Sequence, residues 1–203
     1  MNLRSTFALI ALAVLASGCQ STTIRSAWFD TNFTGPPMRK IVVAGRVDST
    51  VTSRVFEDAF AERLRAAGVD AVAGHTIRLN DAGLSEAAIA AAVANTGAQG
   101  LLLVTLLGVD TRTQVTTTMV SGGMDWGWGP WGGGPTRMMV PVQEIRQYDL
   151  ATVETKLFDV KTKQLVWAAT TSTFSPGTVA RETPGFADLI IGQLSERGVI
   201  ARK

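Results

Sequence analysis

The periodicity of apolar positions divides the chain into a strand-and-helix half and a strand-rich half. Ile41–Val47 (IVVAGRV) is a short β-branched run, as a buried strand requires. The next stretch, capped by Thr52 or Ser53 and running through Ala67, places Phe56, Phe60, Leu64 and Ala67 on one helical face. Gly68 closes it as a left-handed C-terminal residue, and Val69–Ala73 reads as a second strand. Ser85 caps a second helix, EAAIAAAVANT, with Gly97 just past its end. Gly100–Leu107 (GLLLVTLL) is apolar enough for a central strand. Strand, helix, strand, helix, strand predicts a sheet whose early strands are partly parallel.

After Leu107 the period shortens to two. Val109–Val120 alternates and is rich in threonine, and Arg137–Ile145 resumes the pattern, with Pro141 confining part of it to an edge or bulge. Asp149–Val160 alternates cleanly, KTKQ turns, and Leu165–Thr173 returns antiparallel. Thr183 and Pro184 read as the start of a last helix, with Phe186, Leu189, Ile190 and Leu194 as its apolar stripe and Gly198 as its end. The expected fold is mixed α/β: three helices on a mixed sheet of about five strands, with one long antiparallel hairpin.

The amino-terminal block follows another rule. Arg4 precedes an unbroken apolar run, TFALIALAVLA, which is far short of the ~20 residues that span a bilayer, and small residues follow it. That is the pattern of a cleaved signal peptide over 1–18. Leu15-Ala16-Ser17-Gly18-Cys19 resembles the lipobox of bacterial lipoproteins, with alanine where leucine is commoner. The resemblance implies a diacylglycerol on the Cys19 thiol, cleavage before Cys19 and acylation, as by palmitate, of the new amino group. A plain secretory signal is the alternative, and the position of the chain's one cysteine at this spot favours lipid. Gln20 stands where aspartate commonly retains enteric lipoproteins at the inner membrane, so the resemblance implies an outer-membrane address on the periplasmic side of a Gram-negative bacterium. Residues 19–39 then read as lipid anchor and tether, stiffened at Pro36-Pro37, with Trp28, Phe29 and Phe33 clamping the start of the domain to its core. Residues 40–203 form one domain of ordinary size.

Composition removes several functions. The 19 basic residues nearly balance 17 acidic ones, without a basic run or helix, so nucleic acid is not the expected partner. His75 is the single histidine, which rules out a histidine-rich metal site, and Cys19 leaves no thiol for a nucleophile or a disulfide. His75 reads as a loop or edge histidine satisfied by solvent. Asp48-Ser49-Thr50 lies where α/β proteins place ligand loops, yet it lacks phosphate-cradling glycines and reads as a turn into the helix. Glu144 and Glu154 read as separate solvated positions. Neither catalysis nor a cofactor is expected.

The segment MDWGWGPWGGGP interrupts the alternating half, within an insertion at 121–136. Glycine and proline break regular structure, while tryptophan gains most from burial. Placed between two strand-like stretches, the segment reads as the tip of a hairpin that holds Trp126, Trp128 and Trp131 away from the body. Three readings stay open: a low-complexity loop collapsed onto the sheet, a recognition tip for a protein or glycan partner, or rings seated in a membrane interface as part of a pore hairpin. For the last, Leu107, Val109, Thr111, Thr113, Val115, Thr117 and Met119 share one face. Three threonines dilute that face, and Pro141 with Glu144, Arg146 and Gln147 burdens the returning strand, so lying on a surface ranks above spanning.

The lipobox, the strand–helix–strand start, the hairpin LFDVKTKQLVWAA and the terminal amphipathic helix together resemble uncharacterised proteobacterial outer-membrane lipoproteins with an aromatic and glycine-rich insertion. More remotely they are similar to the α/β domain of the TolB amino-terminal part and of CsgG-like secretion lipoproteins, over about Arg39–Ile200. The resemblance implies an envelope protein that works by contact, a scaffold or interaction component bound to the membrane through Cys19. The alternative it implies is an oligomeric pore or export component.

Overall fold

The computed structural model describes residues 22–47, 49–79, 81, 84–125, 136–174 and 179–201. Six strands form one sheet: β1 (Thr22–Phe29), β2 (Lys40–Arg46), β3 (Asp70–Ala73), β4 (Gly100–Asp125), β5 (Thr136–Asp159) and β6 (Leu165–Phe174). Their order is β1-β6-β5-β4-β2-β3. β2 runs parallel to both β3 and β4, and the β4–β5, β5–β6 and β1–β6 pairs are antiparallel. The α-helices among the described residues are α1 (Thr50–Ala66), α2 (Glu86–Asn95) and α3 (Val179–Glu196). The mixed α/β class with three helices holds, and the sheet has six strands where about five are expected.

The additional strand is β1. Thr22–Phe29 pairs with β6 from Thr22↔Thr173 to Phe29↔Trp167, so the expected tether gives way to sheet at Thr22. Its sequence TTIRSAWF hides this, because an edge strand with one open side needs few apolar residues. Phe29 and Phe33 do pack on the core, edge to face with each other, while Trp28 stays half exposed.

Local signals set the helix ends. Ser49 caps α1 by accepting from Thr52 N (3.3 Å), a turn earlier than Thr52 or Ser53 would, and Ser85 caps α2 through Ala88 N (3.2 Å). Gly68, Gly97 and Gly198 all adopt positive φ after their helices, as the C-terminal role demands. α3 starts before the Thr183-Pro184 signal. Pro184 sits just past the first turn, where only one backbone bond is forfeited, and Thr183 Oγ1 donates to Val179 O (2.7 Å).

The two faces of the sheet are covered unequally. α1 and α3 pack on one face, where Phe60, Leu64, Phe186, Ile190 and Leu194 meet Ile41, Val43, Leu102, Leu157 and Trp167. Arg63 of α1 and Asp188 of α3 pair at the rim of this layer, and that bond raises the guanidinium pKa further. On the other face a smaller cluster joins Val93 of α2 and Ala98 to Val42 of β2.

Candidate functional site

β4 and β5 outrun their neighbours. β2 follows β4 only as far as the Arg46↔Thr105 pair, and β6 follows β5 only between Leu150 and Phe158. Beyond Asp110↔Leu150 the two strands pair, among the described residues, only with each other, to Asp125↔Thr136. At about 3.3 Å per residue, the span from Asp110 to Asp125 is about 50 Å. The strands read separately in the sequence are thus continuous here. Gly108 and the glycines near the tip only shift the register, between Leu106 and Gly108 and between Gly122 and Asp125. Pro141 pairs with Met119 inside the ribbon, where both strands are edges and proline is tolerated.

The ribbon faces differ in chemistry. Val109, Thr111, Thr113, Val115, Thr117 and Met119 share a face with Ala151, Asp149, Gln147, Ile145, Gln143 and Pro141 across the ladder. Asp110, Arg112, Gln114 and Thr116 share the other with Leu150, Tyr148, Arg146 and Glu144. Val115, Met119 and Ile145 are 56, 61 and 64% exposed, which is unusual for large apolar side chains on a lone ribbon. Leu107, at the bulge, is exposed too.

Cys19, Trp126, Trp128 and Trp131 all lie outside the described residues, as does Asp48. The ribbon is described on both sides of the tryptophan segment, up to Asp125 and from Thr136. Its base lies in one cross-strand row with the start of β1: Thr22 faces Thr173, Thr173 faces Ala151, and Ala151 faces Val109. Thr22 Oγ1 and Thr173 Oγ1 share a buried hydrogen bond of 2.8 Å. The first described residue, three positions after Cys19, therefore sits at the end of the sheet from which the ribbon leaves.

Beside that row, between the amino-terminal turns of α1 and α3, lies a groove of about 370 Å³. Phe56, Leu106, Val109, Ala151, Val153 and Phe186 contribute to its walls. Nothing in the periodicity announces it, because its residues come from five separate stretches of the chain. A second cavity of about 550 Å³ lies at the end of β2, where Arg46 and Asp81 stand among Leu79, Leu84, Leu101 and Leu103.

The titratable residues have structural partners. His75 is not a solvent-satisfied loop residue: its Nδ1 lies 2.9 Å from Glu57 Oε2, which also accepts from His75 N at 2.7 Å. Glu57 Oε1 accepts from Gly45 N (2.8 Å), and Ser53 Oγ donates to Gly45 O (2.6 Å). The fully buried Glu57 thus serves the backbone of β2 past the point where β3 stops pairing with it. Glu144 pairs with Arg146 and Glu154 with Lys156, about 33 Å apart along one strand, so they do not meet. Among the described residues no group of three or more His, Cys, Asp or Glu is placed to hold a metal, and no helix is long and apolar enough to cross a membrane. That last statement leaves strands aside.

A sheet with one helical layer closed over it, a second half covered, and a two-stranded arm leaving one end defines the class: a mixed α/β domain with a projecting ribbon. No family model and no curated protein matches the chain. Among solved structures it is similar to the PelC dodecamer from Paraburkholderia phytofirmans, at 16% identity over 88% of this chain and 99% of that one, with a TM-score of 0.47. It is also similar to lipoprotein GNA1162 from Neisseria meningitidis, at 13% identity over 77% of this chain and 98% of that one, with a TM-score of 0.39.

Proposed function

We propose that this chain is a lipid-anchored periplasmic protein of the outer membrane that acts by contact, as a non-enzymatic scaffold or interaction component of the envelope, with the ribbon as its arm. The observation that carries the reading is the ribbon itself. A two-stranded hairpin is marginal in water, and this one stands clear of the sheet for about 50 Å with large apolar side chains exposed. Such an arm gains most when a partner covers it. The lipid on Cys19 holds the domain at the bilayer surface and raises its effective concentration towards partners there. Trp126, Trp128 and Trp131, in the segment of the sequence that joins β4 to β5, supply large, partly polar contact area to a protein or glycan.

Crosslinking in living cells, followed by identification of the captured protein or glycan, tests this reading. Replacing the three tryptophans by serine is expected to abolish capture while the melting temperature stays within about 2 °C, the outcome for side chains that meet the partner and not the fold. Undiminished capture from the triple variant would sink the recognition tip.

A second reading, the CsgG-like oligomeric pore or export component, is favoured by the open outer edges of the ribbon. Among the described residues, β4 has no neighbour opposite β5 from Leu106 on, and β5 has none opposite β4 before Leu150. Copies placed side by side would satisfy both edges. A ring of many copies in detergent, with conductance in a planar bilayer, would establish this reading in place of the first.

A further inference from the structure

The groove at the ribbon base is built for an apolar chain, and we propose that it holds one of the acyl chains carried by Cys19. The inference rests on the lipid-anchor reading above. Its walls are Phe56, Val104, Leu106, Ala151, Val153 and Phe186, drawn from two helices and two strands. Glu182 is the single ionisable side chain among the described lining residues, and it is paired with Arg181 at the surface. Of the four hydroxyls that also line it, those of Ser49, Thr173 and Thr183 are engaged with Thr52 N, Thr22 Oγ1 and Val179 O, so the lining is predominantly apolar. It offers apolar area in a volume of about 370 Å³, the size at which small hydrophobic ligands bind.

The location of the groove selects its occupant. Thr173 lines it, and Thr173 is the register partner and hydrogen-bond partner of Thr22. Only Gln20 and Ser21 separate Thr22 from Cys19, a reach of at most about 11 Å. Free bilayer lipids offer the groove the same chemistry, but a chain tethered by so short a link competes at a far higher effective concentration. With one acyl chain seated, the ribbon-bearing end of the sheet is held against the bilayer, and the arm is aimed by the anchor.

Photocrosslinking tests this in the full, processed protein in its native membrane. A diazirine amino acid replaces Val109, which lines the groove and is half exposed, so the fold tolerates it. Illumination is expected to join the peptide containing residue 109 to the Cys19 lipopeptide, as read by mass spectrometry. Ala151→Phe, which fills the groove, should cut that product at least tenfold. Thr52→Trp at the half-exposed rim should do the same without touching the sheet, and an unchanged melting temperature shows that either variant has folded. A crosslink to bilayer phospholipid alone, or to neither lipid, overturns the proposal, as does a yield that neither substitution lowers. The mass of the amino-terminal peptide is read in the same experiment. An unmodified Cys19 thiol would overturn the lipid anchor itself, whereas a lipidated Cys19 without the crosslink overturns only the groove.

Discussion

Two buried polar residues are used in opposite ways. Glu57 is fully buried, yet both its oxygens accept hydrogen bonds from the backbone of β2 and of the 3-10 turn Gly74–Ile77. In Glu57→Gln an amide nitrogen must face one of those N–H groups, leaving a buried donor unpaired. A loss of ~1–3 kcal/mol in chemical denaturation is expected, against less for His75→Ala, which leaves both backbone bonds in place. Thr155 Oγ1 is the reverse case, a buried hydroxyl without a partner among the described residues. Thr155→Val keeps the branched shape in mid-strand and removes the unpaired group, so a gain of ~1 kcal/mol is expected, visible as a rise of about 2–4 °C in melting temperature. A fall would mean that the hydroxyl is satisfied. Neither residue stands out in the sequence. Gly45, His75 and Glu57 are separated along the chain, and the need for a buried acceptor arises only where β3 ends and β2 continues.

At the scale of elements, legibility follows locality. Ser85, Gly68, Gly97 and Gly198 mark helix ends because a cap is decided within one turn. The alternation of Leu150–Phe158 and the KTKQ turn mark the β5–β6 hairpin, where Asp159 Oδ1 accepts from Thr162 N at 2.6 Å and Lys163 takes positive φ. β1 was hidden, because an edge strand carrying Arg25, Ser26 and Ala27 has no apolar face to advertise. The length of the ribbon was hidden too. Gly108 and Pro141 read as breaks, yet a two-stranded ladder absorbs one as a bulge and the other on an edge. Since among the described residues both faces of the ribbon are open between Thr111 and Met119, its removal should leave the domain folded. Joining Arg112 to Tyr148 through Asn-Gly, in place of 113–147, suits the two-residue loop that closes such a pair. Stability is expected to change by less than about 1 kcal/mol while partner capture is lost. Collapse of the melting transition would show that the arm folds back on the body.

For the whole molecule, the proposed attachment to a membrane can be made through either of two features, the lipid or the ribbon. The start of β1, the base of the ribbon and the apolar groove share one end of the sheet, so the proposed lipid anchor would enter at the end from which the arm leaves. Several acyl chains anchor almost permanently, whereas an apolar ribbon lying on a surface binds reversibly, in proportion to the area it buries. Cys19→Ala removes the first and leaves the second. If the lipid is the anchor, the variant is expected in the soluble or precursor fraction after cell breakage, and any residual membrane-bound protein should wash off in alkaline carbonate. If the variant stays in the outer-membrane fraction through that wash, the ribbon is inserted. A lone hairpin cannot satisfy its outer edges in hydrocarbon, so insertion would require neighbouring copies to close them. The same fractionation, repeated on the ribbon-shortened chain, separates the two anchors: loss of retention only when both changes are combined would mean that lipid and strand pairing each suffice.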